Sequence, residues 1–565
     1  MYTLTPILTA CKHTLVKDYI NDSVERYADN RAFTIKDNIN DTHYRHVSYF
    51  SFGKQLREYG SGLLKMGLAG KRVAIIAANC YEWILTYTAV ICGVGVVVPL
   101  DKELSDVEIL LSLKRSKADA VVFDERHAEL LLGLRGNEEY EIKHFISTKK
   151  IKEDVLSVNE VTEIGSLHLK NDTSYDSYSP DPDDVATIIF TSGTTSSSKA
   201  VMLSNRNIAA NLFDLLSTEK ILETDRNLVF LPLHHTFGST GLLFFLANGA
   251  CNMFCDGLRH VQKNLKEYKI TTFVCVPLLL EAVYRNIMVN AEKQGKLRTI
   301  KLAIKASNGL RKLGIDARRK LFKAVLDELG GELRFIISGA SAIKREVAKG
   351  FNDMGILTVQ GYGLTETAPV LAAENAENIR LGSVGKAMPS VEITIENPNE
   401  DGIGEIAAKA PNVMLGYYEM PDETAAVLKD GKFYTGDLGR IDKDGYLYIT
   451  GRKKNVIVLK SGKNIYPEEL EELVSKLPYV NEVLVYAKKR AESSVIAVKI
   501  VYNKDYFKKD GVVLEEEEIY NLVKSDITKI NEGVAAYKHI KSIALQTTPM
   551  VKTTTAKIKR HEEIK

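Results

Sequence analysis

The sequence predicts an α/β protein of two or more domains, with parallel α/β layers early in the chain and a compact α+β pattern over its final hundred or so residues. Three observations carry this. From about Ser48 to Asp124, segments of helical and strand-like apolar spacing alternate, as in parallel α/β layers. Towards the C-terminus the pattern changes to α+β, with strands at Glu482–Ala487 and Ser494–Val501 and an acidic helix start at Glu515–Glu518. A chain of 565 residues is also longer than one hydrophobic core normally organises.

The alternation reads as helix Phe50–Met66, strand Lys71–Ala78, helix Tyr81–Cys92, strand Val94–Leu100, helix Ser105–Ser116 and strand Ala118–Phe123. A polar, proline-containing connector, Asn171–Asp184, then delivers the chain to Val185–Phe190, a β-branched apolar run of buried-strand length. This strand breaks into TSGTTSSSK, Thr191–Lys199. Backbone N–H groups, hydroxyls and one ammonium are what cradles a polyphosphate, although a Ser/Thr-rich surface linker has the same composition. The loop is not a Walker loop, because Ser198 stands where the second glycine is needed.

Ser204 is placed to cap a helix over Asn205–Ser217. Leu228–Gly238, LVFLPLHHTFG, reads as a strand ending in a proline, two histidines and a glycine. His235 at that end can approach a substrate or serve as a hydrogen-bonded structural histidine. Tyr268–Pro277 follows as a strand and Leu278–Gly295 as a long helix. Lys301–Lys323 carries eight basic residues among aliphatic ones, a surface suited to an anionic membrane or simply to water.

Leu333–Ala340 and Gly355–Val359 are strands, the second leading into QGYGLTETAP, Gln360–Pro369. Here Glu366 could hold a divalent cation and Thr365 a phosphate oxygen. In Lys432–Gly439 (KFYTGDLG), Asp437 lies between glycines at the end of a strand-like run, suited to accept hydrogen bonds from vicinal hydroxyls. Pro467 suits a first helical turn, and Glu468, Glu469 and Glu471 favour its positive end. The terminal PMVKTTTAKIKR places Lys557 among small and hydroxylated residues.

Composition excludes several classes. A net charge of +2 from nearly balanced acids and bases gives no nucleic-acid-binding field. Six scattered cysteines build no disulfide framework, and the lone pair Cys251/Cys255 does not make a metal site. The N-terminus lacks the basic and apolar regions of a secretion signal. The uncharged runs Trp83–Leu100 and Asn227–Cys255 are interrupted by glycine and proline, so neither is read as a membrane span. The expected location is cytoplasmic, with peripheral contact at the inner membrane face as an option.

Taken together and in this order, these stretches resemble the AMP-forming acyl-adenylating enzymes, the superfamily of acyl-CoA synthetases, luciferases and nonribosomal adenylation domains. The resemblance spans roughly Ser48 to Arg560. SGKNIYPEELE, PLHHTFG and the long helical segment before LRFIISGAS look most like long-chain fatty acyl-CoA synthetases.

The resemblance implies an acyl-adenylating fold: a large, multi-subdomain α/β N-terminal domain, 1–453, and a small α+β C-terminal domain, 454–565, joined by a hinge at Lys454. It implies that Thr191, Ser192, Gly193, Thr194, Thr195 and Lys199 cover the ATP phosphates, and that Gly339, Ala340, Gly361, Tyr362 and Gly363 line the nucleotide, Tyr362 stacking on adenine. Thr365 and Glu366 handle phosphate and Mg²⁺, Asp437 and Arg452 the ribose hydroxyls, and Lys557 is the catalytic lysine. His235 and Gly238 belong to the acyl pocket, and Gly462 lets the pantetheine arm pass. The implied substrates are ATP, a fatty acid and coenzyme A, with Mg²⁺ as cofactor. A free-standing carrier protein is the alternative acceptor, and a non-catalytic nucleotide- or acyl-binding member is the alternative from another class. The chain departs from the family pattern at Ser196, Ser198, Ala200 and Ala556, where glycine or proline is usual. Lost glycine restricts positive φ and stiffens the phosphate loop.

Overall fold

The structure is a computed structural model that describes every residue except 1–2, 39, 42, 192–197, 459–463, 491–492, 510–511, 553–557 and 565. The chain divides into two compact units. One comprises Met1–Ile393, Ala408–Phe433 and Asp444–Tyr446; the other comprises Thr394–Ala407, Tyr434–Lys443 and Leu447–Lys565.

The first unit is built on two large sheets. One has eight strands in the order Gly416–Tyr417, Lys199–Ser204, Val185–Thr191, Val96–Pro99, Arg72–Ile76, Ala120–Phe123, His144–Ser147 and Leu156–Ser157. From Val185–Thr191 onward the neighbours are parallel, as the alternating pattern predicted. Lys199–Ser204 returns antiparallel to Val185–Thr191, so the hydroxyl-rich loop joins two hydrogen-bonded strands. The second sheet has nine strands, with parallel pairing across Leu357–Gly363, Phe335–Ser338, Thr272–Cys275, Arg226–Val229, Cys251–Phe254 and Arg31–Ile35. Its central strands Thr272–Cys275 and Phe335–Ser338 are short and buried on both faces, which is why they read as runs rather than alternations.

Local signals in the sequence act as expected. Ser105 and Glu108 form a reciprocal capping box at the start of helix Asp106–Ser116, and Ser204 with Asn207 does the same for helix Asn205–Thr218. Helix Tyr81–Gly93 is buried almost all round, which accounts for its lack of an amphipathic stripe. Among the described residues, no helix is long and apolar enough to cross a membrane.

Several boundaries differ. The strand expected over Tyr268–Pro277 shrinks to Thr272–Cys275, because Ile270 N donates to Leu265 O at 3.1 Å to finish the preceding helix, and Pro277 opens the next. The connector Asn171–Asp184 is not polar throughout: it contains a one-turn helix, Ser174–Ser177, whose Tyr175 is buried and donates to Ala89 O at 3.2 Å. The basic segment forms helix Leu297–Lys312 and a short helix Arg318–Leu321, broken at Gly314 with φ 78°.

The second unit carries a three-stranded sheet of Val480–Arg490, Ser493–Tyr502 and Ile540–Gln546. Helices Pro467–Ser475 and Glu516–Glu532 pack into its core through Leu470, Val474, Ile519, Val523 and Ile527. Arg560 grips Glu471 with both carboxylate oxygens within 2.6 Å, tying the C-terminal segment to the first of these helices.

Candidate functional site

The base of the hydroxyl-rich loop is held from both sides. Thr191 Oγ1 donates to Lys199 O at 3.3 Å across the hairpin. Arg115, from the end of helix Asp106–Ser116, donates through Nη1 to Ser198 O at 2.8 Å and lies over the Phe190 ring. Ser192, Gly193, Thr194, Thr195 and Ser196 lie outside the described residues, as do Gly462, Ala556 and Lys557. Ala200 sits in the strand opposite Phe190 and is not among the positive-φ residues, so the expected restriction from losing glycine does not arise at that position.

Lys199 is brought to Glu366 by a residue the sequence reading passed over. Gly416–Tyr417 pairs antiparallel with Val201 and Met202 along the edge of the hairpin, and Tyr418 N donates to Ala200 O at 2.8 Å. This sets the Tyr417 ring 4.3 Å from Lys199 Nζ, while the Tyr417 hydroxyl donates to Glu366 Oε1 at 2.9 Å. Burial, and then the neighbouring Glu366 carboxylate, raise the Tyr417 phenol well above its ordinary pKa, so it keeps its proton and remains a donor. No motif marks it; the only signal was the aromatic pair after a glycine in LGYYE.

Glu366 itself lies in a single 3₁₀ turn, Thr365–Thr367, closing a hairpin between Leu357–Gly363 and Val370–Ala373. The turn is pinned by Leu364 N donating to Pro369 O at 3.0 Å, by Thr367 Oγ1 donating to the same carbonyl at 2.6 Å, and by Met414 N donating to Glu366 O at 2.8 Å. Among the described residues Glu366 Oε2 has no hydrogen-bond partner. One carboxylate oxygen left open suits a hard divalent cation that takes its other ligands from phosphate and water. No cluster of three or more His, Cys, Asp or Glu able to hold a metal exists among the described residues.

Tyr362 and Gly361 are half-buried at the end of strand Leu357–Gly363. Beneath that strand, the buried Glu374 accepts from Gln360 N at 3.2 Å and Arg380 N at 2.8 Å; burial pushes its carboxyl up to about 8. Gly339 and Ala340 follow strand Phe335–Ser338. A β-carbon on Gly339 would stand 2.6 Å from Phe237 Cζ, and Ala340 adopts φ 70°, a conformation that costs a non-glycine residue energy and is found at ligand-contacting turns.

Two expectations need correction. His235 and Gly238 are not at a strand end: the strand stops at Val229, and a loop turned by Pro232 leads to His235 as N-cap of helix Thr236–Ala247, with Gly238 in its first turn. Pro232 has no N–H to continue the strand pairing, and His235 N donates to Pro232 O at 3.2 Å, which turns the chain into the helix. The half-buried His235 ring lies 4.2 Å, centroid to centroid, from that of His234. His234 Nε2 approaches Asp101 Oδ2 at 3.5 Å without hydrogen-bond alignment. Asp437 likewise sits inside the long strand Lys432–Ile441 rather than at its end.

In the second unit, Asp437 faces Arg452 across the hairpin, and Arg452 Nε lies 2.6 Å from Asp437 Oδ1. Asp437 is buried while Arg452 is 39% exposed, so the pair combines a buried carboxylate with a more exposed guanidinium. Lys454 lies in the next turn, Lys453–Asn455, and is exposed.

Residues 20–418 match the AMP-binding enzyme family, and residues 454–565 match the AMP-binding enzyme C-terminal domain. The chain belongs to the AMP-binding enzymes. Among curated members, a long-chain-fatty-acid–CoA ligase, FadD15 of Mycobacterium bovis, is 28% identical over 82% of this chain and 78% of its own length. A chloroplastic long-chain-fatty-acid–[acyl-carrier-protein] ligase, AEE15 of Arabidopsis thaliana, is 27% identical over 91% and 80%. The same α/β architecture recurs in the crystal structure of the anthranilate CoA ligase AuaEII in complex with anthranoyl-AMP. That likeness has a TM-score of 0.76 at 19% identity and covers 98% of this chain and 97% of that one.

Proposed function

We propose that this AMP-binding enzyme activates a long-chain fatty acid with ATP and transfers the acyl group to coenzyme A. The observation that carries the reading is the grouping of Lys199 and Glu366 about Tyr417, inside the stretch that matches the family.

A carboxylate is a poor acyl donor because its leaving group would be oxide. In the first half-reaction one carboxylate oxygen bonds to the α-phosphorus of ATP and the bond to the β-phosphate bridging oxygen breaks, giving acyl-AMP and pyrophosphate. Lys199 pairs with the phosphates through its ammonium, Asp437 accepts from the ribose hydroxyls, and Lys557 neutralises charge where the carboxylate meets the α-phosphate. Thr365 and Glu366 would hold Mg²⁺, which when bound offsets phosphate charge and orients the leaving group. In the second half-reaction the coenzyme A thiolate sulfur attacks the acyl carbonyl, AMP leaves with the C–O electron pair, and the thioester remains. We take Lys454 as the hinge between residues 1–453 and 454–565, the turn there exchanging Lys557 for the Gly462 face between the two steps.

The test is pyrophosphate release from ATP and Mg²⁺ across saturated acids of increasing length, with and without coenzyme A. Release that peaks with long acids and turns over only with coenzyme A is expected. A single stoichiometric burst unaffected by coenzyme A would point to a carrier-protein acceptor, the acceptor named for the Arabidopsis relative. No release with any acid would sink the catalytic reading in favour of a nucleotide- or acyl-binding protein.

A second surface bears on delivery of so insoluble a substrate. Helix Leu297–Lys312 exposes Lys301, Lys305, Arg311 and Lys312 to solvent, and beside them stand Leu302 at 66% and Leu313 at 76% exposure. Exposed leucines among basic residues suit the interface of an anionic membrane, where both groups find partners. Sedimentation with phosphatidylglycerol vesicles but not phosphatidylcholine vesicles is expected, and the double substitution Lys301→Glu/Lys305→Glu should abolish it. Equal sedimentation with both lipids would rule out this role for the charge.

A further inference from the structure

Lys199 and Glu366 carry opposite charges, and each is needed by a different part of one ligand: the ammonium by phosphate, the carboxylate by the metal that accompanies it. Two such groups in one half-buried site tend to pair with each other, and a substrate then has to break that pair before it can bind. Among the described residues no ion pair joins Lys199 to Glu366. Instead each meets Tyr417, the ammonium over the ring face at 4.3 Å and Glu366 Oε1 through the hydroxyl at 2.9 Å.

Tyr417 is well placed to do this because it is itself held. It is buried, its strand pairs with Val201 and Met202, and its own N–H donates to Thr424 Oγ1 at 2.9 Å. A ring face holds an ammonium more weakly than a carboxylate or phosphate does, so the lysine is retained near the site yet released to a stronger anion. The hydroxyl occupies one carboxylate oxygen and fixes the orientation of the other.

We infer that Tyr417 is a positioning residue that keeps the Lys199 ammonium and the Glu366 carboxylate in the site but out of an ion pair with each other, leaving both available to MgATP. This rests on the proposed roles of Lys199 and Glu366. Titration calorimetry of ATP into the full-length protein without fatty acid, with and without Mg²⁺, tests it independently of turnover. Tyr417→Phe keeps the ring and loses the hydroxyl: the gain in ATP affinity from Mg²⁺ should fall about 10-fold, the worth of one hydrogen bond to a charged group, with metal-free affinity unchanged. Tyr417→Leu removes both contacts, and metal-free ATP affinity should fall as well, roughly 5-fold, as Lys199 collapses onto Glu366. Adding Glu366→Gln to Tyr417→Leu should then restore the metal-free affinity, because the competing charge is gone; general damage to the fold would not be rescued in this way. A Tyr417→Phe protein with the full Mg²⁺ gain, or a double variant no better than Tyr417→Leu, overturns the inference alone. Wild-type protein whose ATP binding ignores Mg²⁺ overturns the roles of Glu366 and Lys199 together with it.

Discussion

Replacing Lys557 by alanine is expected to cut acyl-AMP formation by roughly 100- to 1,000-fold, the usual cost of removing one group that stabilises developing charge. Conversion of supplied acyl-AMP and coenzyme A to thioester should stay near the wild-type rate. The asymmetry follows from the proposed alternation about Lys454: Lys557 serves the first half-reaction and is withdrawn for the second. Gly462→Leu should show the reverse, since a branched side chain in the proposed path of the pantetheine arm would block the thiol without touching ATP. Both residues lie outside the described part of the structure, so the expectation comes from their positions in TTTAKIKR and SGKN. Rapid-quench measurement of each half-reaction separates the outcomes. Equal loss of both steps in Lys557→Ala would contradict a two-state domain exchange.

Gly363→Ala is expected to have a large effect from packing alone. A β-carbon there would lie 1.7 Å from Pro369 O, closer than non-bonded atoms can approach, and that carbonyl already accepts from Leu364 N and Thr367 Oγ1. The neighbour is backbone within a pinned turn, so relief requires the hairpin carrying Thr365 and Glu366 to open. Overpacking normally costs about 1–3 kcal/mol, and a backbone collision sits at or above the top of that range. The thermal midpoint should drop by several degrees, and ATP affinity should fall with it by about 10-fold or more. Gly309→Ala is the control: it lies in helix Leu297–Lys312 with nothing within 4 Å of an added β-carbon, and helix propensity alone should leave it neutral or about 0.5–1 kcal/mol more stable. Indistinguishable behaviour of the two variants would mean that the hairpin is not closed as described.

Much of the architecture is legible because it is local. The capping residues Ser105 and Ser204 act on N–H groups three positions away, and the apolar runs at Arg72–Ile76, Ala120–Phe123 and Val185–Thr191 form strands wherever they are buried. Where the reading erred, a missing backbone donor or a non-local contact intervened. Pro232, which lacks an N–H for strand pairing and accepts from His235 N, turns the chain where a strand was expected over Leu228–Gly238, and the buried Tyr175 makes a polar connector part of the core.

The amino-acid sequence by itself determined the order and spacing of the motifs, and with them the family, because each motif is a short stretch whose chemistry depends on neighbours a few residues away. Tertiary structure alone decided that Tyr417 stands between Lys199 and Glu366 and that Arg115 anchors Ser198. Those contacts exist because Gly416–Tyr417 hydrogen-bonds to the edge strand that follows the loop and helix Asp106–Ser116 ends beside it. Pairing between strands so far apart in the chain leaves no period, cap or spacing for a reader of the sequence to find.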